Sequence, residues 1–211
     1  MFDITTIGLF ALSSILLAIT PGPDMVYIAT RSIAQGRSAG VISALGVHTG
    51  VLIHTCAAAL GLSALIAASA VAFSIVKYAG AVYLIYIGIQ TFLSKPEKFQ
   101  IESTERATLS AVFYQGFLVN LLNPKVILFF LSFLPQFVNP ARGSVSLQLF
   151  LLGILLIVVT LPIDIGVGLA GGQLGIWIRA RRGIQQATKW VTGSIYIMLG
   201  VTTAMIGDRK A

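Results

Sequence analysis

Apolar residues follow one another along this chain in six long stretches separated by short polar connections, at about residues 4–30, 38–65, 67–93, 109–138, 145–175 and 187–207. A helix crossing the hydrocarbon core of a bilayer needs about 20 mostly apolar residues, and each stretch can supply them. Two stretches are interrupted. Thr20-Pro21-Gly22-Pro23-Asp24 breaks the first and Asn123-Pro124-Lys125 breaks the fourth, and each break sets a charge directly after a proline. Pro21, Gly22, Pro23 and Pro124 are the predicted helix-break residues, because proline lacks an N–H and clashes with the preceding turn. In lipid the backbone groups freed by a break must face protein or a water-lined cavity. Breaks at corresponding places of two halves are the sequence pointer to the substrate site of a secondary transporter, where half-helix ends offer dipoles to ions and polar groups.

The halves also match in short strings. Gly80-Ala81-Val82-Tyr83-Leu84 in span three corresponds to Gly193-Ser194-Ile195-Tyr196-Ile197 in span six, and Pro23-Asp24 aligns with Pro124-Lys125. With three spans in each half, the second copy must run inverted relative to the first. The predicted fold class is therefore an all-α polytopic membrane protein of about six transmembrane helices, built as two inverted three-helix repeats with spans one and four broken. Repeat one covers about residues 1–95, repeat two about 109–211, and a polar linker about 94–108. The whole of 1–211 reads as one transmembrane transporter domain.

Composition agrees. The 211 residues are 56% hydrophobic and 10% charged, with mean hydropathy +0.92, against roughly 25% charged residues in ordinary soluble domains. No soluble catalytic module is expected. The formal net charge is +7, but in a membrane chain the distribution of Lys and Arg carries the information, so the total does not imply nucleic-acid binding. Connections after spans one, three and five hold nine basic residues, among them Arg31, Arg37, Lys95, Lys98 and Arg179, against four on the other side. That bias predicts both termini outside. The start, Met1-Phe2-Asp3, lacks a basic n-region, so a removable signal peptide is not expected and the first span stays in the membrane. Cys56 is the only cysteine, which leaves no two-thiol chemistry within the chain.

Few side chains remain to carry chemistry. Asp24, inside the membrane and beside a break, is a candidate substrate ligand or proton carrier, since a buried carboxylate is costly unless it faces the bundle or water; the alternative is that it caps the short helix beginning at Met25. Asn120, Asn123 and Lys125 surround the second break and are candidate substrate-binding residues, or else satisfy freed carbonyls and pair with Asp24 internally. If Asp24 and Lys125 meet, they form a complementary pair for a zwitterion. Asp164 lies deep in span five, with Thr160 and Gly168 on its helical face, and is a proton-coupling candidate or an interhelical hydrogen-bonding group. His54 falls on the Gly46, Gly50 and Gly61 stripe of span two, which suits close helix packing; it is a candidate proton relay or a packing partner. His48 lies off that stripe, and two histidines six residues apart do not make a metal site. Phosphate-loop, zinc-protease and nucleophile-elbow motifs are absent from the sequence, so neither an enzyme nor ATP hydrolysis is expected, and no cofactor or metal is implied.

Taken in order, Pro21-Gly22-Pro23, Gly46-x3-Gly50-x3-His54, Lys77-Tyr78-Ala79-Gly80-Ala81-Val82-Tyr83-Leu84, Val119-Asn120-Leu121-Leu122-Asn123-Pro124-Lys125 and Phe133-Leu134-Pro135-Gln136-Phe137 resemble the LysE/RhtB family of amino-acid exporters over essentially the whole chain. The resemblance implies a multi-pass carrier of the bacterial inner membrane that exports amino acids or close derivatives, driven by protons. The threonine, homoserine and homoserine-lactone branch looks nearer than the lysine branch. The partners implied are a small amino-acid substrate, protons and the lipid bilayer, with a homo-oligomer open. The competing readings are a carrier of another small solute such as a divalent cation, for which clustered carboxylate, His and Cys ligands are sparse, and a membrane assembly factor that transports nothing.

Overall fold

The computed structural model describes residues 2–20, 22–93 and 107–180, with positions 190, 193, 194, 197, 198, 200, 201 and 204 of the last apolar stretch. Among the described residues every regular element is helical. The protein is an all-α membrane protein. Pro21 and linker residues 94–106 lie outside the described residues, as do the basic residues at 181, 182, 189, 209 and 210.

The first stretch is α1 (Ile4–Ile19) followed by α2 (Pro23–Gln35), bent by 52° at the break. Asp3 caps α1 by accepting the Thr6 N–H at 2.7 Å, and Gly22 enters α2 in an extended conformation with Pro23 at the first helical position, where a missing N–H costs nothing. The second stretch is α3 (Arg37–Ala57), a π-helical turn over Ala58–Leu62 and α4 (Ser63–Ala68). Helix α5 (Ala70–Leu93) is the third. The fourth stretch breaks as expected: α6 (Leu109–Leu121) ends at Leu122, and α7 (Pro124–Leu128) resumes with a 46° bend and runs through π-helical and 3-10 turns to Phe137. Asn123 takes the extended conformation that a following proline demands. Helix α8 (Val145–Ala180) is longer than the predicted 145–175 and continues through Pro162.

Helix α3 is the hub, packed against α2, α6 and α8. Its glycines let backbones meet: a Cβ on Gly46 would strike the Phe113 carbonyl of α6, and one on Gly40 would lie 2.5 Å from the Gly168 carbonyl of α8. Gly61, the third member of the predicted stripe, faces open space. Across the sixth stretch, a Cβ on Gly200 would lie 2.7 Å from the Ala81 carbonyl of α5.

Large apolar side chains such as Ile4, Leu12, Val82, Leu118 and Val158 are exposed, while Asp24, Lys125, His48 and Asp164 are buried. That is the reverse of a water-soluble protein, and it fits a surface whose solvent is hydrocarbon. Two apolar clusters flank the buried polar groups. The larger contains Phe10, Phe129, Phe133 and Leu134, with the Phe10 and Phe137 rings edge-on at 5.1 Å. The smaller joins Ile28, Ala44 and Val47 to Ile165 and Val167.

Candidate functional site: two helix breaks facing each other

The last carbonyls of a helix and its first N–H groups have no partner inside the helix. At the first break those carbonyls belong to the end of α1. They are satisfied from the other half of the chain: Lys125 Nζ donates to the Leu17 carbonyl at 3.3 Å and to the Thr20 carbonyl at 3.2 Å. An ammonium at a helix C-terminus also complements the negative end of its dipole. The same Nζ lies 3.4 Å from Asp24 Oδ1, and Asp24 sits in the first turn of α2, at the positive end of that dipole, where Oδ1 accepts the Met25 N–H at 3.1 Å. Gly22 makes room for the pair, since a Cβ there would stand 2.8 Å from both Asp24 Oδ1 and Lys125 Nζ. The two breaks thus close on one another through a buried ion pair.

Asn123 and Asn120 divide their work. Asn123 caps α7, its Oδ1 accepting the Lys125 N–H at 3.0 Å, and does not line the cavity described next. Asn120 does line it, while its Oδ1 is buried against Gly50 of α3 with no hydrogen-bond partner among the described residues.

Beside the ion pair lies a cavity of about 30 Å³ whose polar lining is Asp24, His48, Asn120, Lys125, Thr160 and Asp164. Asp164 is 8% exposed. Its Oδ2 stands 3.8 Å from His48 Nδ1, while His48 Nε2 meets Thr160 Oγ1 at 3.1 Å and Nδ1 lies 3.0 Å from the Ala44 carbonyl. Two carboxylates, an ammonium and an imidazole therefore share one small space. A volume of about 30 Å³ admits one or two waters, so an amino acid enters only after the helices separate. Val47 of the small apolar cluster and Leu17, Val51, Val126 and Leu156 of the large one also form its walls.

Of the residues singled out in the sequence, Asp24, Asn120, Lys125 and Asp164 come together on the cavity. His54 does not: its ring stacks on Phe130 at 5.6 Å, beside the backbone of Asn120 and Leu121. His48 lines the cavity in its place. The glycine stripe that carries His54 marks the face of α3 pressed on α6, whereas the polar face turns toward α8. Thr160 and Asp164, four residues apart on α8, were the available signal for a polar partner on α3. Among the described residues no three His, Cys, Asp or Glu side chains gather as metal ligands.

The family described as LysE type translocator matches residues 15–207. The chain is 31% identical over 195 residues to a homoserine/homoserine lactone efflux protein of Salmonella typhimurium, covering 92% of this chain and 94% of that protein. It is 30% identical over 199 residues to an uncharacterized membrane protein of Bacillus subtilis, at 90% and 94% coverage. A leucine efflux protein of Salmonella typhimurium is 30% identical over 152 residues, 72% of each chain. No solved structure matches.

Proposed function

Since this chain belongs to the LysE type translocator family, whose members are transporters and not enzymes, we propose a route by which its central site exports an amino acid or close derivative. Export of that class of solute is supported by relatives named for homoserine, homoserine lactone and leucine efflux. The observation that carries the site is the Asp24–Lys125 pair, 3.4 Å apart where both helix breaks meet, on the wall of a small cavity. A zwitterion inserted there exchanges one internal ion pair for two: its ammonium meets Asp24 and its carboxylate meets Lys125. Neither buried charge is left unpaired, and that keeps the desolvation penalty tolerable. Val47, Val51 and Leu156 offer an apolar wall to a small side chain.

Transport proceeds by alternating access of two inverted three-helix repeats across the inner membrane, the two apolar clusters parting in turn. Export is coupled to proton antiport, with Asp164 exchanging the proton and His48 relaying it to or from water. An electrical potential of about 100 mV is worth roughly 2.3 kcal/mol per charge moved, enough for a solute gradient of about 50-fold.

The test is counterflow in proteoliposomes preloaded with unlabelled homoserine, threonine or leucine, following the labelled solute. Accumulation should occur with the wild-type protein and be lost in Asp24→Asn and in Lys125→Gln. Folded wild-type protein that accumulates none of the three would refute amino-acid carriage. Uphill export that survives collapse of both the pH gradient and the potential would refute proton antiport.

A further inference from the structure

A second cation is buried away from the central cavity. Arg31, on α2, is 7% exposed and lies seven residues beyond Asp24, two helical turns along nearly the same face. Its Nη2 donates to Gln115 Oε1 of α6 at 2.5 Å, and its guanidinium carbon stands 5.6 Å from the centre of the Tyr27 ring. Tyr27 is itself fixed, donating its hydroxyl proton to the Val112 carbonyl at 2.8 Å. Nη1 is buried with no hydrogen-bond partner among the described residues. Among the described residues no carboxylate forms an ion pair with Arg31.

A buried guanidinium with a free amino group and no counter-ion among the described residues is costly, and its planar fork matches a carboxylate or phosphate. Neutral Gln115 and Tyr27 hold the fork without cancelling its charge. Gln115 is exposed, and Arg31 lies one turn from the end of α2, toward the connection that belongs to the side with the larger share of basic residues in the sequence. Between Arg31 and the cavity stands the small apolar cluster, with Ile28 one turn from Arg31 and Val47 reaching the cavity wall.

We propose that Arg31, with Gln115 and Tyr27, is an outer oxyanion subsite that captures the carboxylate of an amino-acid substrate before the Ile28–Ala44–Val47 cluster parts and the carboxylate passes to Lys125. This rests on the amino-acid carrier reading above. Like Lys125 in the central pair, the site distinguishes homoserine, which carries a carboxylate, from homoserine lactone, which does not, but it acts before the substrate reaches the cavity. The same fork also suits the phosphate of an anionic lipid, which the experiment separates.

The experiment compares half-saturation concentrations for L-homoserine and L-homoserine lactone in proteoliposomes bearing wild-type protein, Arg31→Gln or Arg31→Lys, in vesicles with and without phosphatidylglycerol. Arg31→Gln should raise the value for homoserine roughly 10- to 100-fold, the worth of a hydrogen bond to a charged group, and leave the lactone within about twofold. Arg31→Lys, which keeps the charge but loses the fork, should fall between. The unchanged lactone shows that the variant is folded. Equal losses for both solutes in both lipid mixtures would assign Arg31 to packing alone, and equal losses seen only when phosphatidylglycerol is present would assign the site to lipid phosphate; either overturns the proposal. A wild-type protein that carries neither solute is a different failure, that of the carrier reading, and in that case saturable protection of the wild-type but not Arg31→Gln protein from thermal unfolding by sodium acetate still supports an oxyanion site, while equal protection overturns it.

Discussion

Removing one member of the Asp24–Lys125 pair strands the other in the interior, where their side chains are 12% and 6% exposed. At 3.4 Å and an effective dielectric of about 20, the attraction is about 5 kcal/mol. Desolvation of the two charges offsets most of that, so the pair contributes little net stability, but a lone buried charge keeps the penalty without the attraction. Such single removals cost about 3–5 kcal/mol. Lys125→Met belongs at the upper end, because it also frees the Leu17 and Thr20 carbonyls. Asp24→Asn belongs at the lower end, since Lys125 keeps those two acceptors. The double variant removes both charges but still leaves the Leu17 and Thr20 carbonyls free, so it should be more stable than Lys125→Met and lose well short of the sum of the two single losses. For a chain of this length each kcal/mol shifts the melting temperature by about 2–4 °C, so the single variants should melt roughly 6–20 °C lower. The assay is thermal unfolding of purified protein in detergent micelles for all four members of the cycle. Single-variant losses that add to within about 0.5 kcal/mol in the double variant would show that the two charges do not interact, and the argument for a paired-break site would fail. Counterflow should remain absent in the double variant although part of the stability returns, which separates carrying cargo from holding the fold.

Gly46→Ala drives a Cβ into the Phe113 carbonyl, a backbone atom that cannot rotate away, and should cost about 1–3 kcal/mol; unaltered melting would mean that α3 and α6 are farther apart. Thr160→Val removes the hydroxyl opposite His48 Nε2 and leaves a buried ring nitrogen unpaired, for a loss of about 1–3 kcal/mol, while Thr160→Ser should stay close to the wild type; equal melting of the two variants would count against the bond. The Asp3 carboxylate accepts from Thr6 and pairs with Arg142 at 2.8 Å, and these bonds, the Thr6 backbone N–H foremost, lower its pKa from 3.8 to about 2. A depressed carboxyl pKa stabilises the folded state above the unfolded value and ceases to do so as pH falls through the folded one. The wild type should therefore lose this contribution between about pH 4 and pH 2, and Asp3→Asn should lack that acid-dependent step when melting is followed over the same range; identical pH profiles would remove Asp3 from the account.

Much of the architecture is legible locally. Five of the six predicted apolar stretches appear as described helices or bent helix pairs near the expected places, because stretch length and hydropathy are properties of contiguous residues. Both breaks lie where Gly22-Pro23 and Asn123-Pro124 predict them, since proline constrains its own backbone and that of the residue before it. Asp24, Lys125 and Asp164 could be singled out because a charge in an apolar stretch is conspicuous without any knowledge of its neighbours. The sixth stretch lies largely outside the described residues, and its place as the inverted counterpart of α5 belongs to the proposal.

Choosing between the two histidines required more. The Gly46 and Gly50 stripe correctly marks a face of close approach, but helical phase alone does not say which neighbour that face meets. It meets α6, taking His54 with it to Phe130, while His48 turns to Thr160 and Asp164 on α8. Arg31 likewise looked like one of several basic residues in a connection, and only its burial against Gln115 distinguishes it. The sequence by itself determined a helical membrane chain with two broken spans and a short roster of buried charges, because those follow from local hydropathy and backbone chemistry. Tertiary structure decided that Lys125 caps the carbonyls of α1 and faces Asp24, that His48 joins Asp164, and that a small cavity lies between them. Those contacts join opposite halves of the chain, and they are set by how α2, α3, α6 and α8 pack together.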